Sequence, residues 1–246
     1  MLNRKMEVIR IEISSTFLGQ EYLLNPCVLR EKNDTFLIDC GYEGSIKQLS
    51  GELGKYGIQL AELTGIIISH EDIDHMGALH EIKEEIPSIK IYSSEIEAPY
   101  LSGEKKSLRL LQAESLRSTM PEQFKEWATA FEYSLRTIKR VPVDFTFGFD
   151  FHFSDQIRIV NTPGHTPGHI SIYLPEDKIL LANDALVVEN GELEIANPHF
   201  SLDLAQALDS VKKLARLEID KVICYHGGEI TKNIPGQLKK LVEKYS

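Results

Sequence analysis

The sequence predicts an α/β fold, a four-layer αββα sandwich, and three observations lead there. Short apolar runs bounded by polar or glycine-containing stretches recur in both halves of the chain, the pattern left by strands buried on both faces. Segments with helical apolar spacing are interleaved with them. The order is strands and a helix, a charged helical stretch, then strands and helices again. Two such halves can pack sheet against sheet with helices outside. With 246 residues, the chain is read as one domain over 1–246.

The elements justify this in order. Val8 to Ile13 partly alternates, and Cys27 to Leu29 and Thr35 to Asp39 follow as strands around the polar turn Glu31-Lys32-Asn33-Asp34. Gly44 to Tyr56 carries Ile46, Leu49, Leu53 and Tyr56 on one helical face. Ile66 to Ile68 reads as a strand buried on both sides, Met76 to Glu85 as a helix stopped near Pro87, and Lys90 to Tyr92 as a short strand. From about Pro99 to Tyr133 the chain is charged, helix-forming and interrupted by Pro121, which marks a helical insertion spanning about 99–140. Strand patterns return at Phe149 to Phe153, Ile157 to Asn161, Ile170 to Leu174 and Ile179 to Leu181. Leu204 to Leu214 is a helix, Lys221 to Cys224 a strand and Pro235 to Lys244 a helix.

Composition removes several function classes. The formal charge is −10 and no basic face is evident, so nucleic acid is a poor partner. The apolar runs are too short to span a bilayer, and Glu7, Arg10 and Glu12 interrupt the start, which does not read as a signal peptide. Cys27, Cys40 and Cys224 are far apart with no CxxC, as expected of free thiols in a reducing cytoplasm. A small molecule is the expected partner.

The chemistry lies in four places. Ser69-His70-Glu71-Asp72-Ile73-Asp74-His75 puts four potential metal ligands into six residues directly after a buried strand. A loop at the end of a strand can aim several side chains at one point, and imidazole with carboxylate suits zinc, iron or manganese. The plain alternative is a polar loop in which Asp74 caps the next helix. Asn161 to His169 holds two Pro-Gly pairs, each placing a histidine (His165, His169) on a constrained backbone, though two surface histidines would look the same. Ile179 to Asp184 is an apolar run ending in a carboxylate, in isolation an ordinary turn residue. Val222 to Gly228 is an apolar run ending in His226 and two glycines. Each feature places a ligand type just past a strand end, and the shared pattern weighs more than any one of them.

These residues resemble the metallo-β-lactamase superfamily, whose pattern is HxHxDH followed by a His, an Asp and a His. The likeness runs from the early strands to His226, and the stretch Thr162 to His169, TPGHTPGH, is typical of glyoxalase II-like and lactonase-like members. The resemblance implies two divalent metal ions, zinc in the first instance with iron or manganese as alternatives. His70, Asp72 and His165 would hold metal one; Asp74, His75 and His226 metal two; Asp184 would bridge them. His169 would orient a ligand, touch substrate or serve structure alone. Asp39, in Ile38-Asp39-Cys40-Gly41, matches a recurrent aspartate-glycine turn that supports loop geometry. Asn197, Pro198 and His199 lie in reach of a pocket without an assigned role.

One departure stands out: Asp72 replaces the second histidine of the pattern. A more oxygen-rich first site shifts preference towards iron or manganese, and Asp72 beside a single-metal site is the other arrangement. The implied activity is metal-assisted hydrolysis of an ester, thioester or lactone, with Asp74 passing a proton to the leaving group. The insertion would shape the pocket or a homodimer contact. Two other readings remain. One is a di-iron oxidoreductase resembling flavodiiron proteins, which carry HxExDH and would need a separate electron donor here. The other is a non-catalytic metal-binding module.

Overall fold

The computed structural model describes residues 6–148 and 151–245. In chain order the strands and helices are β1 Glu7–Arg10, β2 Ile13–Phe17, β3 Gln20–Leu24, β4 Cys27–Glu31, β5 Asp34–Ile38, α1 Ile46–Lys55, β6 Gly65–Ile67, α2 Ile73–Met76, α3 Leu79–Glu85, β7 Lys90–Ser94, α4 Ala98–Leu101, α5 Leu108–Leu116, α6 Lys125–Thr137 and β8 Phe145–Phe147. The second half continues with β9 Arg158–Asn161, β10 Ile170–Leu174, β11 Ile179–Asn183, β12 Val187–Glu189, β13 Glu192–Glu194, α7 Leu204–Leu214, β14 Lys221–Cys224, β15 Gly228–Ile230 and α8 Ile234–Lys244.

Two mixed sheets form the middle of the molecule. The first runs β1-β4-β5-β6-β7-β8 and the second β15-β14-β11-β10-β9. Three apolar clusters show how they stack. Leu29, Ile38 and Ile67 of the first sheet meet Ile159, Ile172, Leu181 and Ile223 of the second in one core. The opposite face of the first sheet packs with Leu49 and Leu53 of α1, Leu79 and Ile82 of α3, and Leu110 and Leu135 of the insertion. The opposite face of the second packs with Val211 and Leu214 of α7 and Leu238 and Leu241 of α8. This is the four-layer sandwich that the sequence predicts. Sheets in the inner layers are covered on both sides, which is why β10 is buried at every position and reads as an unbroken apolar run.

Some elements differ from the sequence reading. Two hairpins stand apart from the main sheets, β2 with β3 and β12 with β13. Their polar, half-exposed residues, such as Ser14-Ser15-Thr16, give no apolar alternation to read. Of the strand expected over Phe149 to Phe153, residues 149 and 150 lie outside the described residues. Residues 151–153 form no strand, only a bridge from His152 to Arg158. The helix expected over Met76 to Glu85 begins at Leu79 as α3, and Met76 instead ends the short α2 before it. The three cysteines are buried and free. No helix among the described residues is long and apolar enough to cross a membrane.

Strand direction places the chemistry. β11 and β14 are parallel, and β9 points the same way because both it and β11 run antiparallel to β10 between them. The chain therefore leaves all three strands at one end of the second sheet, towards His165, Asp184 and His226. In the first sheet, parallel β5 and β6 deliver Asp39 and His70.

Candidate metal centre

The seven residues singled out in the sequence converge. Ligand-type atoms of His70, Asp72 and His165 lie within 4.8 Å of one another, as do those of Asp74, His75 and His226, and those of His70, His75 and Asp184. Asp184 joins the groups, with Oδ1 3.4 Å from His75 Nε2 and Oδ2 3.5 Å from His226 Nε2 and 3.6 Å from His165 Nε2. Asp74 Oδ2 is 3.2 Å from His226 Nε2.

Each ligand type is held by its own support. His75 Nδ1 bonds Asp39 Oδ2 at 2.8 Å, and Asp39 also accepts from the Ser69 amide at 2.8 Å and the Ser69 hydroxyl at 2.7 Å. Asp39 thus fixes which nitrogen of His75 faces the centre, more than the loop geometry read from the sequence. Ser69 Oγ reaches His70 Nδ1 at 2.9 Å. His169 uses Nδ1 on Thr162 and accepts the Asp184 amide on Nε2 at 3.1 Å, so it steadies Asp184 and does not line the cavity. The Tyr225 hydroxyl accepts from the Gly41 amide and donates to the Asp74 carbonyl, with its ring 3.9 Å from that of His75.

Glu97 ties the two ligand loops together. Its Oε1 accepts from the Thr166 hydroxyl at 2.6 Å and the Gly168 amide at 2.9 Å, while Oε2 accepts from the Glu71 amide at 3.0 Å. Burial pushes its carboxyl from 4.5 up to about 7 against the pull of the Thr166 bond. The folded chain therefore holds a proton there that the unfolded chain has lost, and stability falls as pH rises from 4.5 through about 7. In Glu97→Gln this pH slope should vanish. The amide nitrogen cannot accept from Glu71, so metal affinity should drop about 10–100-fold. Thermal midpoints across that pH range, with metal titrations of both proteins, check the pair of effects.

The electrostatics suit a cation. Burial opposes charge on His75, yet Asp184, Asp74 and Asp39 outweigh it and raise its pKa well above normal. His226 is likewise lifted to about 10 by Asp184 and Asp74 against burial. Burial lowers His165 and His169, favouring neutral imidazoles. Among the described residues, the buried atoms of the centre with no hydrogen-bond partner are His70 Nε2, His75 Nε2, Asp184 Oδ1 and, on the ring edge turned from Asp72, His165 Nδ1. Buried polar atoms are nearly always paired, and two imidazole nitrogens and a carboxylate oxygen converging unpaired fit a divalent metal.

Sequence reasoning missed Arg109. This residue of α5 donates from Nε to Asp72 Oδ1 at 3.0 Å and from Nη2 to Asp72 Oδ2 at 2.6 Å. Burial would raise the Asp72 carboxyl, but the Arg109 charge and the bonds from His165 and His70 hold it well below the usual range. Glu71, between the ligand residues, is also committed to the insertion: its carboxylate accepts from the Leu108 amide at the start of α5 and from Arg140 Nη1 at 2.9 Å. In the sequence Arg109 is one basic residue among leucines, and nothing local marks its partner.

The centre opens into a cavity of about 1110 Å³ whose lining includes Asp72, Asp74, Arg109, His165, Asp184 and His226. Aromatic pairs form part of its wall, Phe17 stacked on Tyr42 and Trp127 on Phe131, with centroids 4.8 and 5.0 Å apart. Asn197 and His199 lie on the lining as well.

Comparisons with known proteins place the chain in a family. The family model described as "Metallo-beta-lactamase superfamily" matches residues 25–226. A protein named "Probable metallo-hydrolase YflN" from Bacillus subtilis is 28% identical over 229 residues, covering 88% of this chain and 84% of that protein. A hydroxyacylglutathione hydrolase from Bartonella henselae is 30% identical over 172 residues, covering 70% of this chain and 51% of that one. Among solved structures, a metallo-beta-lactamase family protein from Thermus thermophilus superposes with a TM-score of 0.70 at 19% identity, over 97% of this chain and 79% of the other.

Proposed function

Because this chain belongs to the metallo-beta-lactamase superfamily, we propose that it is a metal-dependent hydrolase of esters, thioesters or lactones with an apolar acyl part. The observation that carries the reading is the set of unpaired buried atoms, His70 Nε2, His75 Nε2 and Asp184 Oδ1, beside a large aromatic-walled cavity. The hydroxyacylglutathione hydrolase relatives support acyl transfer to water as the reaction class.

His70, His75 and Asp184, with His226 and Asp74 beside them, would hold a divalent ion. Such an ion supplies Lewis acidity and lowers the pKa of water from about 15.7 to about 7. The chain's own residues do the rest. Asp39 and Tyr225 hold His75 in one orientation, and His169 anchors Asp184, so the ligand atoms need no reorganisation. Asp74 lines the cavity with its carboxylate 3.2 Å from His226, where it can accept a proton from attacking water and return it to the leaving group. Phe17, Tyr42, Trp127 and Phe131 receive the acyl body and exclude water from around the carbonyl.

Elemental analysis followed by an ester, thioester and lactone panel of increasing acyl length tests this. Turnover should accompany a redox-silent divalent metal. Burying a methylene contributes about 0.8 kcal/mol, so kcat/KM should rise up to about fourfold per added methylene until the cavity is filled. Absence of turnover across the panel sinks the proposal. Two irons with a spectrum that changes on reduction would select the di-iron oxidoreductase instead.

A further inference from the structure

We propose that Arg109 takes the place of the first metal ion, so that the chain holds one metal per centre and the insertion supplies the second positive charge. The inference rests on the metal-dependent reading above but concerns the division of the site. The family pattern would give metal one to His70, Asp72 and His165, and the guanidinium stands among these groups.

The geometry is that of a built site. Arg109 is 4% exposed. Beyond its two bonds to Asp72, Nη1 donates to Gln112 Oε1 and to the Phe200 carbonyl, both at 2.6 Å, and Nη2 lies 3.2 Å from His165 Nε2. A guanidinium has five N–H donors, and these five partners can use them all. Withdrawing the side chain to admit an ion would leave the buried carboxylate of Asp72 without its cation and the Gln112 and Phe200 oxygens without their donor.

The donors left for metal one are correspondingly few. Both Asp72 oxygens accept from Arg109 in the bidentate fork that guanidinium and carboxylate favour. His165 Nε2 is 2.9 Å from Asp72 Oδ2 as well as 3.2 Å from Arg109. If that nitrogen carries the proton, it donates to Asp72; if it does not, its lone pair accepts from Arg109. Either tautomer leaves no lone pair there for a metal. A divalent ion would also sit against a fixed positive charge. On the other side, His70 Nε2, His75 Nε2 and Asp184 Oδ1 form no hydrogen bond and have only ion-pair contacts at 3.4 Å or more, and Asp74 and His226 adjoin them. The replacement of a histidine by Asp72 then has a reason: imidazole cannot form the two-oxygen fork that holds Arg109. Arg109 is accordingly a positioning residue, fixing Asp72 and His165 and placing a cation at the cavity wall.

The test counts metals. Wild type, Arg109→Ala, Arg109→Met, Arg109→Lys and Asp72→Ala are stripped, loaded with excess zinc, desalted and analysed for zinc per chain, with circular dichroism confirming that each is folded. Wild type should retain about one equivalent, and so should Asp72→Ala, because Asp72 is not a ligand. Arg109→Ala or Arg109→Met should rise towards about two, because Asp72 and His165 are released and His70 can join them while His75, Asp184, Asp74 and His226 remain for the other ion, and Arg109→Lys should stay near the wild-type value. Two equivalents in wild type overturn the inference. So does a loss of metal in Asp72→Ala, or no gain in whichever of Arg109→Ala and Arg109→Met folds. The count is independent of turnover. Two zinc ions with an active panel would refute this division and leave the hydrolase reading standing, whereas one zinc without turnover would do the reverse.

Discussion

Replacing Asp184 with alanine is expected to lower turnover on any ester, thioester or lactone substrate by at least about 10³-fold, equivalent to about 4 kcal/mol of barrier. The size follows from position. Asp184 stands between the groups, its oxygens 3.4 Å from His75, 3.5 Å from His226 and 3.6 Å from His165. No neighbouring carboxylate can substitute, because Asp74 is set against His226 and Asp72 is bound to Arg109. Without it the imidazole nitrogens of His70 and His75 lose the carboxylate nearer to His75, and Asp74 alone is left to balance a divalent ion, so metal content should fall with activity. Kinetics and elemental analysis on the same preparation check this. Wild-type metal content and turnover in Asp184→Ala would remove Asp184 from the centre. The supporting residues should cost less: losing Asp39 or His169 loosens a ligand and leaves the ligand in place.

The second large effect is on folding. Gly164 has a φ of 134°, and a Cβ added there would lie 2.2 Å from the Ala207 amide nitrogen and 2.4 Å from its Cα, both backbone atoms of α7. Backbone cannot move aside as a flexible side chain can, so Gly164→Ala must push the loop off the helix. Overpacking costs about 1–3 kcal/mol and left-handed backbone about 1–2 more, so about 3 kcal/mol in all is expected. For a chain of this size that is a fall of about 6–12 °C in thermal midpoint. The displaced residue is the neighbour of His165, whose carbonyl accepts from the Leu202 amide while that of Gly164 accepts from Asp203. Activity measured well below the new midpoint should therefore fall too. A midpoint within one or two degrees of wild type would show that the loop relaxes freely, contrary to the close packing described.

What the sequence disclosed, and what it hid, follows from where each residue's partners lie. β10, β11 and β14 are inner strands covered on both sides, so their burial is written as apolar runs, and the boundaries of β10 and β14 match the expectation. The hairpins β2–β3 and β12–β13 are half-exposed and short, and their pairing depends on neighbours that no local pattern reveals. β15 starts among the glycines after His226, where the chain reads as a turn. The seven residues that converge were legible because each follows a strand and their order is itself a pattern. Of their supports, Asp39 and His169 were singled out through the family resemblance but without their partners, and Glu97 and Arg109 were not singled out at all. Asp39 acts on His75 from 36 residues away, Glu97 on Thr166 from 69, and Arg109 on Asp72 from 37. A single aspartate, glutamate or arginine carries no sign of a partner so distant. For Asp72 the sequence left open ligand or bystander, and the geometry adds a third part, as the anchor of an arginine.

The grip of the insertion on Glu71 and Asp72 has a consequence for how such a protein can change. Two adjacent residues of the ligand loop are also the docking points for α5 and Arg140. Pocket shape and the electric field at the centre are therefore inherited together. A chimera that exchanged residues 99–140 for the matching stretch of another protein would import a new wall and delete a charge in one step. It would also leave the two carboxylates of Glu71 and Asp72 buried without their cations. New specificity in this scaffold should come more readily from side-chain changes on the aromatic wall, at positions such as Trp127 and Phe131, than from wholesale exchange of the segment that carries them.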